Sequence, residues 1–417
     1  MGAPAFRDLP YMGVIHVVAE AAKLGFSNGH PDWCNLGQGQ PEVGRIAGAP
    51  ARVDCVTMGA MDHAYGPVNG ADELRDAVAQ HYNRLFRKGA GSQYGRENVA
   101  IVAGGRLALS RVFAALSGIN VGYQAPDYTA YEEMLDYHRH RFTPVLLPVD
   151  EHVGFQLTPE AFDAAVRRQG LGAYLVSNPC NPTGELLRDD ELARYVDIAR
   201  RRDCLLILDE FYSHFIYGPD GAPGSGPVSA AAFVKDVNQD PVLIVDGLTK
   251  NFRYPGWRVG WIVGPAKLIE TIGRVASAID GGPPMPMQRA ALEVLAPDRA
   301  DQETDAVRTV FAEKRALMRD ALSRLGVRFP GRCDGTFYLW GSIADVPAPF
   351  NDAETFFRRA LDARVMVVPG AFFDVNPGKA RPSPSPYAQW LRFSFGPPKE
   401  NLVLGLERLK AMIESAR

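Results

Sequence analysis

Short apolar runs bounded by turn residues recur between residues 98 and 264: "NVAIVAG", "VGYQAP", "PVLLPV", "GAYLVSNP", "CLLILDE", "PVLIVDG" and "VGWIVG". None shows the polar alternation of a strand with one wet face, so each reads as a strand buried on both sides. Helical patterns lie between several of them. In "ADELRDAVAQHYNRLF" the residues Leu74, Ala77, Val78, His81, Tyr82, Leu85 and Phe86 recur on one face, with Asp72 and Glu73 at the start, where a helix dipole favours negative charge. "DDELARYVDIARRR" is acidic at its beginning and basic at its end, as the same dipole prefers. Strands alternating with helices predict an α/β fold around a mostly parallel sheet.

The texture changes after about residue 290. A long helical pattern, "AVRTVFAEKRALMRDALSRLG", leads to the strand candidates "GTFYLWGSI", "RVMVVPG" and "WLRFSFG". This predicts a second, smaller α+β unit, with "APDRADQETD" as the joint and "NPGKARPSPSPYAQ" as an exposed loop before the final strand. A chain of 417 residues also exceeds one comfortable core.

Composition narrows the function classes. Hydrophobic residues at 46% and charged residues at 22% describe an ordinary globular chain, and a net charge of −3 argues against nucleic acid and anionic membranes as partners. No apolar stretch is long enough to cross a bilayer, and the N-terminus lacks a signal-peptide layout. Five cysteines, odd in number and never spaced C-x-x-C, predict reduced thiols in a cytoplasmic setting and no structural zinc. The "HRH" at His138 to His140 reads as a solvated helix face rather than a metal site.

Open α/β sheets bind ligands beyond the carboxyl ends of their strands, so the residues following each run carry the chemistry. The first run leads to Gly104, Gly105 and Arg106, where bare backbone N–H groups suit a phosphate. The next leads to Tyr128, an aromatic at a strand end. Asn181 follows in a proline-bracketed turn, Asp209 ends "CLLILD" with Tyr212 three residues on, and "PVLIVDGLTK" delivers Lys250, with Arg258 beyond it. Each feature alone is more often a turn, a cap or packing. Together, a phosphate cradle, a flat aromatic, an amide, a carboxylate and a lysine suit pyridoxal phosphate.

The chain resembles the class I/II aminotransferases of the fold-type I pyridoxal-phosphate enzymes. The resemblance rests on Gly247-Leu248-Thr249-Lys250 with Arg258-Val259-Gly260, on "NPCNPTG" (Asn178 to Gly184), on "LDEFY", and on Arg392 in "LRFSFG". "LGQGQPE" and "AYGPVNGADELRDAV" resemble two further family elements. The resemblance implies a large cofactor-binding domain over residues 45–290 and a smaller domain from residues 1–44 and 291–417. It implies that Lys250 carries the cofactor as an internal aldimine and shuttles the substrate proton, while Asp209 holds a proton on the ring nitrogen. Asn181 and Tyr212 would bond the ring O3′, Tyr128 would stack on the ring, and Gly104, Gly105, Arg106, Thr249 and Arg258 would surround the phosphate. Tyr65 would reach the phosphate of the neighbouring subunit of a homodimer, and Arg392 would clamp the substrate carboxylate with Gly39 packed beside it. The expected reaction moves an amino group between an amino acid and a 2-oxo acid. A lyase, synthase or oxidase of the same chemistry is the alternative.

Two other classes fit less well. A sensor domain of a transcription regulator needs a DNA-binding segment for which the short N-terminus has no room. A nicotinamide-dependent dehydrogenase needs the glycine fingerprint that is absent after the first strand. Within the family match, three departures stand out. Gly247 replaces a common serine, and Arg253 and Tyr254 replace a small and an aliphatic residue. The third is "DGGPPMPMQ" (Asp280 to Gln288), which has no basic residue before Gln288 and so offers no clamp for a second carboxylate. A neutral or mixed donor is therefore expected.

Overall fold

A computed structural model describes residues 13–218, 222–382 and 384–415. After a two-residue strand β1 (Cys34–Asn35), all seven apolar runs form strands: β2 (Val99–Val102), β3 (Asn120–Ala125), β4 (Thr143–Pro148), β5 (Leu171–Ser177), β6 (Leu205–Asp209), β7 (Val242–Gly247) and β8 (Gly260–Val263). They make one sheet in the order β2-β8-β7-β6-β5-β3-β4. Neighbours from β7 to β4 run parallel, and β8 alone runs antiparallel to both β7 and β2. Successive residues alternate between two apolar clusters: Ile207, Leu243 and Val245 pack on one face, Leu206, Leu208 and Ile244 on the other. Both faces are covered, which is why these strands show no polar alternation.

The helices up to this point are α1 (Gly13–Lys23), α2 (Asp72–Phe86), α3 (Gly105–Ala115), α4 (Ala130–Tyr137), α5 (Pro159–Gln169), α6 (Asp189–Arg202), α7 (Ala266–Ile279) and α8 (Met285–Val294). α2 buries Leu74, Val78, Ala79, His81 and Tyr82, close to the predicted face. α6 occupies the predicted segment, acidic in its first turn and basic in its last. α4 stops at Tyr137, so His138 to His140 follow the helix instead of lying on it.

The C-terminal part departs from expectation at one place. "APDRADQETD" is no joint but the opening of α9 (Pro297–Arg324), a helix of 28 residues. Pro297 takes the first helical position and Asp298 sits in the first turn, both normal start signals. Its polarity hid the helix because Glu303 and Thr304 fill buried positions that would ordinarily be apolar. β9 (Tyr338–Ser342), α10 (Ala353–Asp362), β10 (Val365–Met366), β11 (Val368–Pro369), β12 (Trp390–Ser394) and α11 (Lys399–Glu414) complete the chain. β12 pairs antiparallel with β9 and β11, while β10 pairs parallel with β1. "RVMVVPG" is thus divided between two sheets. The β1–β10 pairing ties residues 34–35 to this C-terminal part.

Candidate active site

Asp209 is the last residue of β6, and Lys250 lies three residues beyond the parallel neighbour β7. Both open into a cavity of about 820 Å³ at the carboxyl ends of the strands. Gly105, Arg106, Tyr128, Asn181, Tyr212, Thr249 and Arg258 line it, and Gly39 and Arg392 line its other side. Tyr65 is fully exposed and does not line the cavity of its own chain.

One corner is built for an anion. Gly104 caps α3 at φ +92°, and a Cβ there would run into the Arg258 guanidinium; a Cβ on Gly105 would run into the Phe211 ring. Only glycine allows this close approach and leaves the first N–H groups of α3 bare. Arg258 donates to the carbonyl of Pro255 at 3.1 Å, and Arg106 Nε donates to the Tyr128 hydroxyl at 3.1 Å. The Thr249 hydroxyl is buried beside them without a hydrogen-bond partner among the described residues. No side chain fits at Gly247, where a Cβ would lie 2.5 Å from both Gly260 Cα and the Val259 carbonyl. A serine is therefore excluded there by the tight β7–β8 crossing.

Electrostatics poise the lysine. Desolvation in the cavity, then the cations Arg392, Arg258 and Arg106, push the Lys250 amine down to about 7, with Asp209 opposing. Its Nζ donates to the Gly39 carbonyl. Asp209 is pushed up to about 6 by burial, against a hydrogen bond from the Tyr131 hydroxyl at 2.8 Å and one from the Phe211 N–H at 3.4 Å. A carboxylate so placed gains most from a cation brought against it.

Arg392, 1% exposed, sits on β12 with its guanidinium 4.0 Å from the Tyr338 ring centroid. It donates to Asn181 Oδ1 at 3.0 Å and to the Gly37 carbonyl at 2.7 Å, while its Nε has no partner among the described residues. The Gly37 carbonyl is held by Arg392, and Gly39, two residues on in the turn that follows β1, lines the cavity and accepts from Lys250. The Tyr212 hydroxyl shares a 3.0 Å hydrogen bond with that of Tyr338. Ser177 supports Asn181 by accepting from its N–H at 3.2 Å and donating to buried Asp127 at 2.5 Å.

Tyr131, Tyr338, Ser177 and Asp127 were not singled out from the sequence. Tyr131 stands three residues after Tyr128, a helical spacing that offered one signal. Tyr338 sits within an apolar strand and offered none.

Arg253 has a plain explanation. Fully buried at φ +59°, it donates Nε to Glu303 of α9 at 2.6 Å and Nη1 to the carbonyls of Glu42 and Gly44 at 2.9 and 2.7 Å. Its own carbonyl accepts from Arg52 at 2.6 Å, and Arg52 lies 3.5 Å over the Tyr254 ring. Arg253 and Tyr254 thus clamp residues 42–53 and α9 onto the loop that carries Lys250. "DGGPPMPMQ" packs on the Tyr65 side: Met285 lies against Gly66, Gly282 against Val68, and Gln288 accepts from Ala71 N–H at 2.7 Å.

An anion-binding corner, a buried carboxylate and a cation-depressed lysine in one cavity define a class of catalyst before any comparison. The chain belongs to the class I and II aminotransferases, whose family model matches residues 31–409. It is 31% identical over 359 residues to the "Probable aspartate/prephenate aminotransferase" of Thermus aquaticus, covering 84% of each chain. It is 28% identical over 392 residues to the valine–pyruvate aminotransferase of Mycobacterium tuberculosis, covering 93% of this chain and 92% of that one. A solved aminotransferase from Mycobacterium tuberculosis superposes with a TM-score of 0.79 at 27% identity, over 98% of this chain and 97% of the other. The fold is that of the fold-type I enzymes, and the protein is a pyridoxal-phosphate-dependent aminotransferase. The residues present fit that cofactor: the glycine cradle and the unpartnered Thr249 hydroxyl suit a phosphate, and Lys250 and Asp209 supply the amine and carboxylate it needs.

Proposed function

We propose that the enzyme moves an amino group between an L-amino acid and a 2-oxo acid in two half-reactions, with Lys250 as cofactor anchor and proton carrier. The observation that carries this reading is the convergence of Lys250, Asp209, Arg258 and Arg392 on one cavity beside the glycine-capped start of α3. Pyridoxal phosphate, when bound, supplies an electron sink for the charge left on the substrate Cα once its proton departs. Arg258, Arg106, the Thr249 hydroxyl and the first N–H groups of α3, those of Gly105 and Arg106, would hold the phosphate, with Gly104 keeping the approach open. Asp209, oriented by Tyr131, keeps a proton on the ring nitrogen, because a buried carboxylate is stabilised by that cation. Asn181 and Tyr212 hold the ring oxygen, and Tyr128 packs against the ring.

Arg392 receives the substrate α-carboxylate as a planar fork, kept in place by Asn181, Gly37 and the Tyr338 ring. Lys250 Nζ, neutral in a large fraction of molecules near pH 7, then takes the Cα proton. Gln38, Gly39 and Gln40 line one side of the cavity. Full exposure of Tyr65 supports a homodimer in which this ring enters the neighbouring site. We further propose two working units, residues 45–290 and residues 1–44 with 291–417, in a cytoplasmic enzyme.

The test is single-turnover mixing of cofactor-loaded enzyme with amino acids, read as a change in cofactor absorbance and as the 2-oxo acid released. Equal 2-oxo acid and converted cofactor support amino transfer. Release of ammonia with no cofactor conversion contradicts it.

A further inference from the structure

The relatives named above act on different donors, so the donor side chain must be read from this cavity's own wall. Its outer part lies between α1 and α4. From α1, Val14, Ile15 and Val18 face it; from α4 and its N-cap come Thr129, Glu133 and Tyr137, spaced four residues apart on one helical face. The two helices meet at their starts, where Gly13 takes φ +55° and a Cβ would lie 2.8 Å from the Thr129 hydroxyl. One wall is thus aliphatic and the other polar, with a carboxylate midway along it.

Glu133 and Asp209 are the carboxylates of the cavity lining. Asp209 belongs to the ring nitrogen in the reading above. Glu133 is half-buried and forms no hydrogen bond or ion pair with any other described residue. Arg106 feels its charge, but Arg106 is turned to the Tyr128 hydroxyl beside the anion corner, and the two make no ion pair. The other cations of the lining, Arg258 and Arg392, are committed to phosphate and α-carboxylate. A carboxylate that faces the cavity with no ion-pair partner is open to a cation carried in by a ligand, and the pair gains strength as the ligand excludes water from it.

The geometry points to an amino donor whose side chain is an aliphatic stem ending in an amine or guanidinium. The stem lies along Val14, Ile15 and Val18, and the charge meets Glu133. This revises the expected neutral or mixed donor, and it rests on the amino-transfer reading of the same site.

The experiment compares isosteric donors on the cofactor-loaded enzyme: L-lysine against L-norleucine, L-arginine against L-citrulline, with L-aspartate and L-glutamate alongside. We expect the basic member of each pair to be favoured in kcat/KM by roughly 10- to 100-fold. In Glu133→Gln that ratio falls to within a few-fold of one, and Glu133→Arg turns the preference toward the acidic donors. Calorimetric affinity for 2-methyl-lysine against 2-methylnorleucine, which lack a Cα proton, gives the same ratio without turnover. Undiminished cofactor uptake shows that the variants fold. A native ratio near one, or a ratio unchanged in Glu133→Gln, overturns the proposal; preference for aspartate or glutamate would assign the side chain to Arg106. If no donor converts the cofactor, the amino-transfer reading fails, and the 2-methyl pair still decides whether Glu133 reads a cation.

Discussion

The floor and the roof of the cavity are made in opposite ways. The floor consists of side chains at the ends of β6 and β7 and at the start of α3, each fixed by a buried sheet. The roof is residues 35–44 and α1, a segment that shares no strand with the seven-stranded sheet. It is hung by its main chain: Arg392 on β12 holds the Gly37 carbonyl, Lys250 that of Gly39 and Arg253 those of Glu42 and Gly44, while the Ser394 N–H donates to the Leu36 carbonyl and the Glu42 N–H to that of Gly396. The contrast teaches that the floor depends on residue identity and the roof depends on the cations beneath it.

Loss of floor chemistry should have the largest effect. Lys250→Ala is expected to lower amino transfer by three or more orders of magnitude, of the size seen when an essential proton-transfer group is deleted. Its cofactor absorbance should shift while its thermal midpoint stays close to that of the native enzyme. A variant that keeps most of its amino-transfer rate would remove Lys250 from the chemistry.

Arg392→Ala should come next, reducing kcat/KM by about 100-fold or more, because a charge-assisted fork is lost and the Gly37 carbonyl is released. Arg392→Lys should recover only part of this, since an ammonium cannot form the planar fork.

This split also explains what could be read in the sequence. Lys250, Asp209, Asn181 and Arg392 were legible because their chemistry demands one residue type at one strand end. Arg253 was visible but unexplained, since its partners are two carbonyls and a glutamate some fifty residues away on α9. The helix over "APDRADQETD" was hidden because Glu303 is buried for Arg253's sake, which erased the apolar periodicity. α1 and α4 gave no functional signal, because Val14, Val18 and Thr129 look like any helix side and helix start. Backbone recognition leaves no mark on residue type.

Arg253→Ala should act on stability ahead of chemistry. Glu303 is then left buried with only the longer 3.4 Å contact to Arg52, which is expected to cost about 3 kcal/mol in denaturant unfolding, and the pair Arg253→Met with Glu303→Met should recover part of it. If the single variant keeps full stability, the clamp is not what holds the roof.

The pH dependence offers a finer test. Cofactor uptake by the apoenzyme requires the neutral amine, so its rate should rise as pH passes through about 7 and level off above. Arg258 disfavours the ammonium, so Arg258→Gln should move the midpoint of that rise to higher pH. Movement to lower pH would contradict the role given to the arginine. The smallest effect is expected from Tyr131→Phe, which removes one hydrogen bond to the Asp209 carboxylate and should raise its pKa from about 6, with a loss of several-fold in kcat.

The central claim is that one amine among the chain's lysines carries the cofactor. Borohydride reduction of the loaded enzyme, followed by peptide mapping, fixes the cofactor to whichever side chain holds it. The account predicts a single labelled peptide bearing Lys250, absent in Lys250→Ala. Label on another lysine, such as the buried Lys314, or no label at all, would contradict it.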